Sequence, residues 1–159
     1  MIRNITSDDF DFIYGLYMHP DINPFLLYEP MPEVDFVPIY EDLLRQNIIF
    51  VYHEAGQNIG MFKLTPLHHR TSHINYIGGL GIHPDFNGMG HGSKMIQEIV
   101  DLGRSRGLKR LELSAATFNT RAIKLYEKHG FVLEGIMKNY THIAARGEYI
   151  DEQLMAYLY

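Results

Sequence analysis

No cysteine occurs among the 159 residues, which removes a disulfide framework, a thiolate zinc site and a cysteine nucleophile together. An excess of positive charge is missing too: 14 Lys and Arg stand against 19 Asp and Glu, for a net charge of -5. A protein that neutralises a phosphate backbone needs a basic face to displace counterions, so nucleic acid is not expected as a partner. No apolar run approaches the roughly 18 residues of a membrane-spanning helix, and MIRNITSDDF has no long apolar core behind a basic start. The expectation is a soluble, cytoplasmic protein with no membrane partner. Linkers, internal repeats and low-complexity tracts are absent as well. What remains, with 46% hydrophobic residues, suits one domain over residues 1–159.

Residues 2–6 read as a short strand, and SDDFDFIYGLYMHP as a helix capped by Ser7, with Phe10, Ile13, Tyr14 and Tyr17 on one face. DINPFLLYEPMPEV is a loop leading to a second helix that ends near residue 46. NIIFVYHE and NIGMFKLTPL form a hairpin about AGQN, and HINYIGGLGI is a strand carrying Gly78, Gly79 and Gly81. Glycine inside a strand marks a bulge or a close approach to the backbone. SKMIQEIVDLGRSRG is an amphipathic helix and LKRLELSAA a strand. NTRAIKLYEKHG is a helix with Asn119 as its cap and Gly130 beyond its end, FVLEGIMK a strand and GEYIDEQLMAYLY a last one. Hairpins precede interleaved helices and strands, which favours an α/β protein with a mixed sheet.

IHPDFNGMGHGSKMIQ, residues 82–97, places glycine at 88, 90 and 92 between a strand and a helix. That arrangement is an anion site in waiting, because the first helical N–H groups are unpaired and the helix dipole puts partial positive charge there. It is not a P-loop, since Ser93 separates Gly92 from Lys94, nor a G-x-G-x-x-G dinucleotide fingerprint. Alone, it also fits a turn that merely starts a helix.

A second segment accompanies it. LGIHPDFNGMGHGSKMI and NTRAIKLYEKHGFVLEG together resemble the two signature segments of the GNAT superfamily of acyl-CoA-dependent N-acetyltransferases. Gly90 and Gly92 fall on the glycines of [Q/R]-x-x-G-x-[G/A], with Asn87 where the family usually has Gln or Arg. Asn119, Ala122, Tyr126, Gly130 and Phe131 follow N-x-x-A-x-x-x-Y-x-x-x-G-F without a gap. The resemblance implies a mostly antiparallel mixed sheet of about seven strands, splayed between the fourth and fifth and flanked by about four helices. It implies acetyl-CoA as cosubstrate, with its pyrophosphate against the amides of Asn87, Gly88, Met89, Gly90, His91, Gly92 and Ser93. The pantetheine arm would pair with the backbone of Leu80 and Ile82 and reach Asn119 and Ala122. A homodimer is a further expectation of the family.

Acetyl transfer to an amine needs a neutral amine, a polarised carbonyl and a proton for the departing thiolate. The resemblance gives the last task to Tyr126. Relatives often carry a carboxylate in the strand before the glycine loop, and HINYIGGLGI has none. Glu112 is then the candidate base, although alternation along RLELS also allows it to face solvent. Tyr76 is a second candidate beside the amine. Phe25 to Tyr28, with Glu29, would form the acceptor site, since an aromatic beside a carboxylate suits a cationic amine. No metal is expected: His68, His69 and His73 read as a loop. The acidic runs SDDFD and EYIDE read as a helix start and a solvated edge. The expected activity is N-acetylation of a primary amine by direct transfer. The alternatives are an acyl-CoA-binding regulatory module without turnover, or the same fold used for protein interaction.

Overall fold

The computed structural model describes all residues, Met1–Tyr159. The elements run β1 (Ile2–Asn4), α1 (Phe10–Met18), α2 (Glu33–Gln46), β2 (Ile49–Glu54), β3 (Gln57–Pro66), β4 (Ile74–Ile82), α3 (His91–Ser105), β5 (Arg110–Ala116), α4 (Thr120–Lys128), β6 (Val132–Ile143) and β7 (Glu148–Leu158). The strands join in the order β1-β2-β3-β4-β5-β7-β6. β4 and β5 are parallel, whereas β1–β2, β2–β3, β5–β7 and β6–β7 are antiparallel. This is the expected α/β class with a mixed, mostly antiparallel sheet of seven strands and four helices. The β4–β5 ladder holds only Ile74–Ile77 against Arg110–Leu113 and ends there, at the expected splay.

The chain forms two compact units, one of residues 1–64 and 78–95, the other of 65–77 and 96–159. In the first, Ile13, Leu16 and Tyr17 of α1, Phe36, Tyr40 and Leu43 of α2, and Ile49, Val51 and Met61 of the β2–β3 hairpin are buried together. The hairpin turns at Ala55 and Gly56, both left-handed with φ of 51° and 78°, as a two-residue turn between twisted strands requires. The start of α1 differs from expectation. The cap is Thr6, not Ser7, and a single 3-10 turn over Ser7–Asp9 precedes the helix. Asp9 decides this, because its carboxylate is buried, accepts the Thr6 N–H at 2.8 Å, and receives Arg3 through two bonds of 2.7 and 2.8 Å. Asn58 donates to it at 3.0 Å, tying β3 to the same carboxylate. Arg3 and these bonds hold Asp9 well below the usual carboxylate range, at about 2.

In the second unit, α3 buries Ile96, Ile99 and Val100. A Cβ at Gly103 would overlap the Tyr159 hydroxyl, which donates to Val100 O at 2.7 Å. Asn119 caps α4 as expected, its side chain accepting Ala122 N–H at 3.3 Å, and Gly130 follows the helix end with φ of 88°. β6 is longer than FVLEGIMK suggested and runs to Ile143. It pairs with β7 across a register irregularity between Met137 and Thr141, where Asn139 turns left-handed and donates to Asp151 at 2.9 Å. No helix is long and apolar enough to cross a membrane.

Candidate functional site

The glycine loop lies in the first unit, between a 3-10 turn at Pro84–Phe86 and α3. Gly88 and Gly90 have φ of 79° and 82°, a conformation that a side chain disfavours. A Cβ built on either meets no protein atom within 4 Å. The glycines therefore answer to backbone angle and to what approaches from outside, not to internal packing. Asn87, Gly88, Met89 and Gly90 are exposed, whereas His91, Gly92 and Ser93 are half-buried. Lys94 N–H bonds to Gly90 O at 3.2 Å, so the amides of His91 and Gly92 precede the first bond of α3 and sit at its positive end. The side chains of the first turn fix the loop to β2. Glu54 accepts Lys94 Nζ at 2.8 Å, and its other oxygen lies 3.0 Å from His91 Nδ1. This contact is close enough for an ion pair but lacks the alignment of a hydrogen bond. The open, amide-lined helix start fits a pyrophosphate.

The same unit holds the C-terminal half of β4, with Leu80 and Ile82 half-buried. Gly79 lies within the strand in a left-handed conformation, with φ of 54°. A Cβ there would come within 2.8 Å of the Tyr17 hydroxyl and 3.7 Å of Lys63 Cβ. At Gly60 on β3 a Cβ would come within 2.7 Å of Gly81 O, so β3 and β4 approach closely just beyond Gly79. Of the glycines expected to allow a bulge in IGGLGI, Gly79 is left-handed, with Tyr17 and Lys63 beside it. Tyr17 is buried and its phenol is pushed up by desolvation.

The second unit carries Tyr126. It is 7% exposed on α4, with its ring 6.0 Å from that of Phe131. Burial first, and the neighbouring Tyr76 second, push its phenol well above the ordinary tyrosine value, so it stays protonated at neutral pH. Tyr76 belongs to a hydrogen-bond relay. Its hydroxyl lies 2.7 Å from Ser114 Oγ, Ser114 donates to Glu152 Oε2, and Thr141 donates to Glu152 Oε1 at 2.6 Å. Because Ser114 has one proton and gives it to Glu152, Tyr76 is the donor to Ser114. Glu112 shares the half-buried face of β5 with Ser114, but Arg110 Nε holds it at 2.9 Å, and Arg110 also grips Glu134 at 2.8 and 2.5 Å.

The segment from Phe25 to Glu29 divides. Tyr28 packs into the first unit's core, its ring 5.0 Å from Tyr17 and 6.0 Å from Phe36, whereas Phe25, Leu27 and Glu29 are exposed. Tyr28 also lines a recess of about 380 Å³ with Ile39, Asp42, Gln46, Ile48 and Lys63, and Glu29 is not in its wall. Two further corrections concern charge. Glu152, in the stretch read as a solvated edge, is half-buried and takes the Ser114 and Thr141 protons. Asp9, read as part of a helix start, is a buried anchor. Ser114, Glu152 and Lys63 carried no local signal. Each is an ordinary polar residue in a strand, and only strand pairing reveals its neighbours. No group of three or more His, Asp or Glu stands where a metal ion could be held.

Residues 2–131 match the model of the acetyltransferase (GNAT) family. The spermidine N(1)-acetyltransferase of Vibrio cholerae serotype O1 is 28% identical over 161 residues, spanning 97% of this chain and 90% of that protein. An L-amino acid N-acetyltransferase of Escherichia coli K12 is 32% identical over 88 residues, 55% of this chain and 52% of that protein. Among solved structures, that of a spermidine N-acetyltransferase from Vibrio cholerae in complex with CoA and spermine superposes with a TM-score of 0.87 at 26% identity. It covers 99% of this chain and 94% of that one.

Proposed function

Because the chain belongs to the GNAT acetyltransferase family, we propose that it moves the acetyl group of acetyl-CoA onto a primary amine by direct transfer in a ternary complex. The observation that carries this is the loop Asn87–Ser93, whose left-handed Gly88 and Gly90 leave an open row of amides at the start of α3. In this reading the loop amides hold the pyrophosphate, and the backbone of Leu80 and Ile82 pairs with the pantetheine. Asn119 and Ala122 bind the same arm. The thioester supplies the activated acetyl group.

Tyr126 is the proton donor to the departing thiolate, and its buried phenol stays protonated at working pH, as a donor must be. For the amine's proton we assign Tyr76, relayed to Glu152. Tyr76 takes the proton as its own passes to Ser114 and the Ser114 proton passes to Glu152, so that the charge ends on one neutralised carboxyl. Glu112, occupied by Arg110, is the poorer acceptor. The enzyme is read as cytoplasmic. The apolar residues that edge strand β6 exposes, Val132, Leu133 and Ile136, support a homodimer.

The test is a panel of primary amines incubated with acetyl-CoA, following free thiol and product mass. Thiol release matched by acetylated amine is the expected result. Tight acetyl-CoA binding with no thiol release for any amine would sink the reading.

A further inference from the structure

The recess beside α2 contains a charge that nothing in the protein answers. Lys63, on β3, is half-buried in its wall, and its ammonium has desolvation but no hydrogen-bond or charge partner acting on it. The other polar groups of the wall are engaged or neutral. Asp42 accepts Arg45 at 3.0 Å on one oxygen and the Gln46 amide on the other, and Tyr28 contributes a phenol. Ile39 and Ile48 make the remainder apolar. Burial pulls the Lys63 pKa down. A partly desolvated ammonium in an apolar wall costs free energy unless an anion meets it. The recess also lies next to the left-handed Gly79 of β4. Lys63 Cβ is 3.7 Å from where a Cβ on Gly79 would sit, and Tyr28 in the wall packs on Tyr17, whose hydroxyl borders the same point.

We propose that this recess is the acceptor's carboxylate site, with Lys63 as its cation, so that the amine acetylated belongs to an amino acid or a peptide and not to a polyamine. This rests on the acetyl-transfer reading above. Geometry carries it: Lys63 holds the carboxylate by a charge-assisted bond while the apolar wall takes the side chain, and Gly79 of β4 lies one side chain away. Glu29, the acid expected to greet a cationic amine, has no place in the wall. A wholly cationic acceptor would put its charge against Lys63.

Matched acceptors differing only in the carboxylate test this: L-leucine against 3-methylbutylamine, and L-lysine against cadaverine, with leucylglycine and spermidine as further arms. The wild-type enzyme should prefer the carboxylate-bearing member of each pair. Lys63→Met should raise its KM by about 10-fold to 100-fold, the range for losing a bond to a charged group, with kcat and acetyl-CoA affinity unchanged. Lys63→Arg should keep the preference, and melting temperatures confirm that both variants fold. Leucine favoured over leucylglycine makes the ligand a free amino acid; the reverse makes it a peptide. Acetylation of 3-methylbutylamine, cadaverine or spermidine as good as that of the acids, unmoved by Lys63→Met, overturns the carboxylate site and leaves acetyl transfer standing. So does an equal loss of kcat for both members of a pair, which would make Lys63 a proton carrier. Failure to acetylate any amine, with acetyl-CoA still bound, removes both readings.

Discussion

Replacing Gly79 by alanine adds one methyl group within β4 and meets two separable penalties. The first is conformational: φ of 54° is left-handed, where an L side chain crowds its own carbonyl at a cost of about 1–2 kcal/mol. The second is steric. The new Cβ would lie 2.8 Å from the Tyr17 hydroxyl, and Tyr17 is 1% exposed with its ring against Tyr28 at 5.0 Å and Phe36 at 5.6 Å. The ring has nowhere to retreat, and overpacking of this kind costs about 1–3 kcal/mol. Together they predict a loss of about 2–5 kcal/mol, out of a typical domain stability of about 5–15 kcal/mol. Tyr17→Phe deletes the hydroxyl and leaves the ring carbon at 3.7 Å as the nearest atom, an ordinary contact. Urea unfolding of wild type, both single variants and the double variant forms a cycle. The double variant should recover the steric part and retain about 1–2 kcal/mol of the conformational part. A Gly79→Ala protein within about 0.5 kcal/mol of wild type, the usual limit for an inconsequential surface change, would refute both. A double variant as unstable as the sum of the singles would refute the contact with Tyr17 alone.

Other expectations concern the cosubstrate, the protons and acid stability. Gly90→Val should abolish acetyl-CoA binding measured by calorimetry while the protein stays folded, because its Cβ meets no protein atom but stands where the anion approaches. Undiminished affinity would take the loop out of the site. Tyr126→Phe should leave acetyl-CoA affinity intact and cut turnover by about 100-fold or more. Glu152→Gln, which can still accept a bond, should lower kcat without changing that affinity, and an unchanged rate would end the relay. Asp9 carries a stability term that depends on pH. Its folded pKa of about 2 lies below the ordinary 3.8, so the term is fully present above about pH 4 and is lost as pH falls towards 2. The whole term is about 2 kcal/mol, of which about 1 kcal/mol is gone by pH 3. Urea midpoints at pH 6 and pH 3 should fall further apart for wild type than for Asp9→Asn, and equal shifts would show that another group titrates.

What the sequence determined by itself was local. The chemistry of Gly88 and Gly90, the Asn119 cap, the Ala55–Gly56 turn and the apolar faces of α1 and α3 all depend on residues within a few positions of one another. Backbone angle, helical period and turn type act over that range, so the spacing revealed them, and the two signature segments added the family. The tertiary structure decided everything that depends on which strands become neighbours. Ser114 and Glu152 are 38 residues apart in the chain and meet only because β5 and β7 pair with Ala116 opposite Glu152. Asp9 is buried because Arg3 and Asn58, the latter 49 residues away, arrive to satisfy it. Lys63 reads in sequence like any lysine of a half-exposed strand. It becomes a site because α2 lines the recess around it and the nearby Asp42 bonds to Arg45 and Gln46 instead of to Lys63. A side chain's charge is written in the sequence, whereas its solvation and its partners belong to surfaces that exist only once the chain has folded.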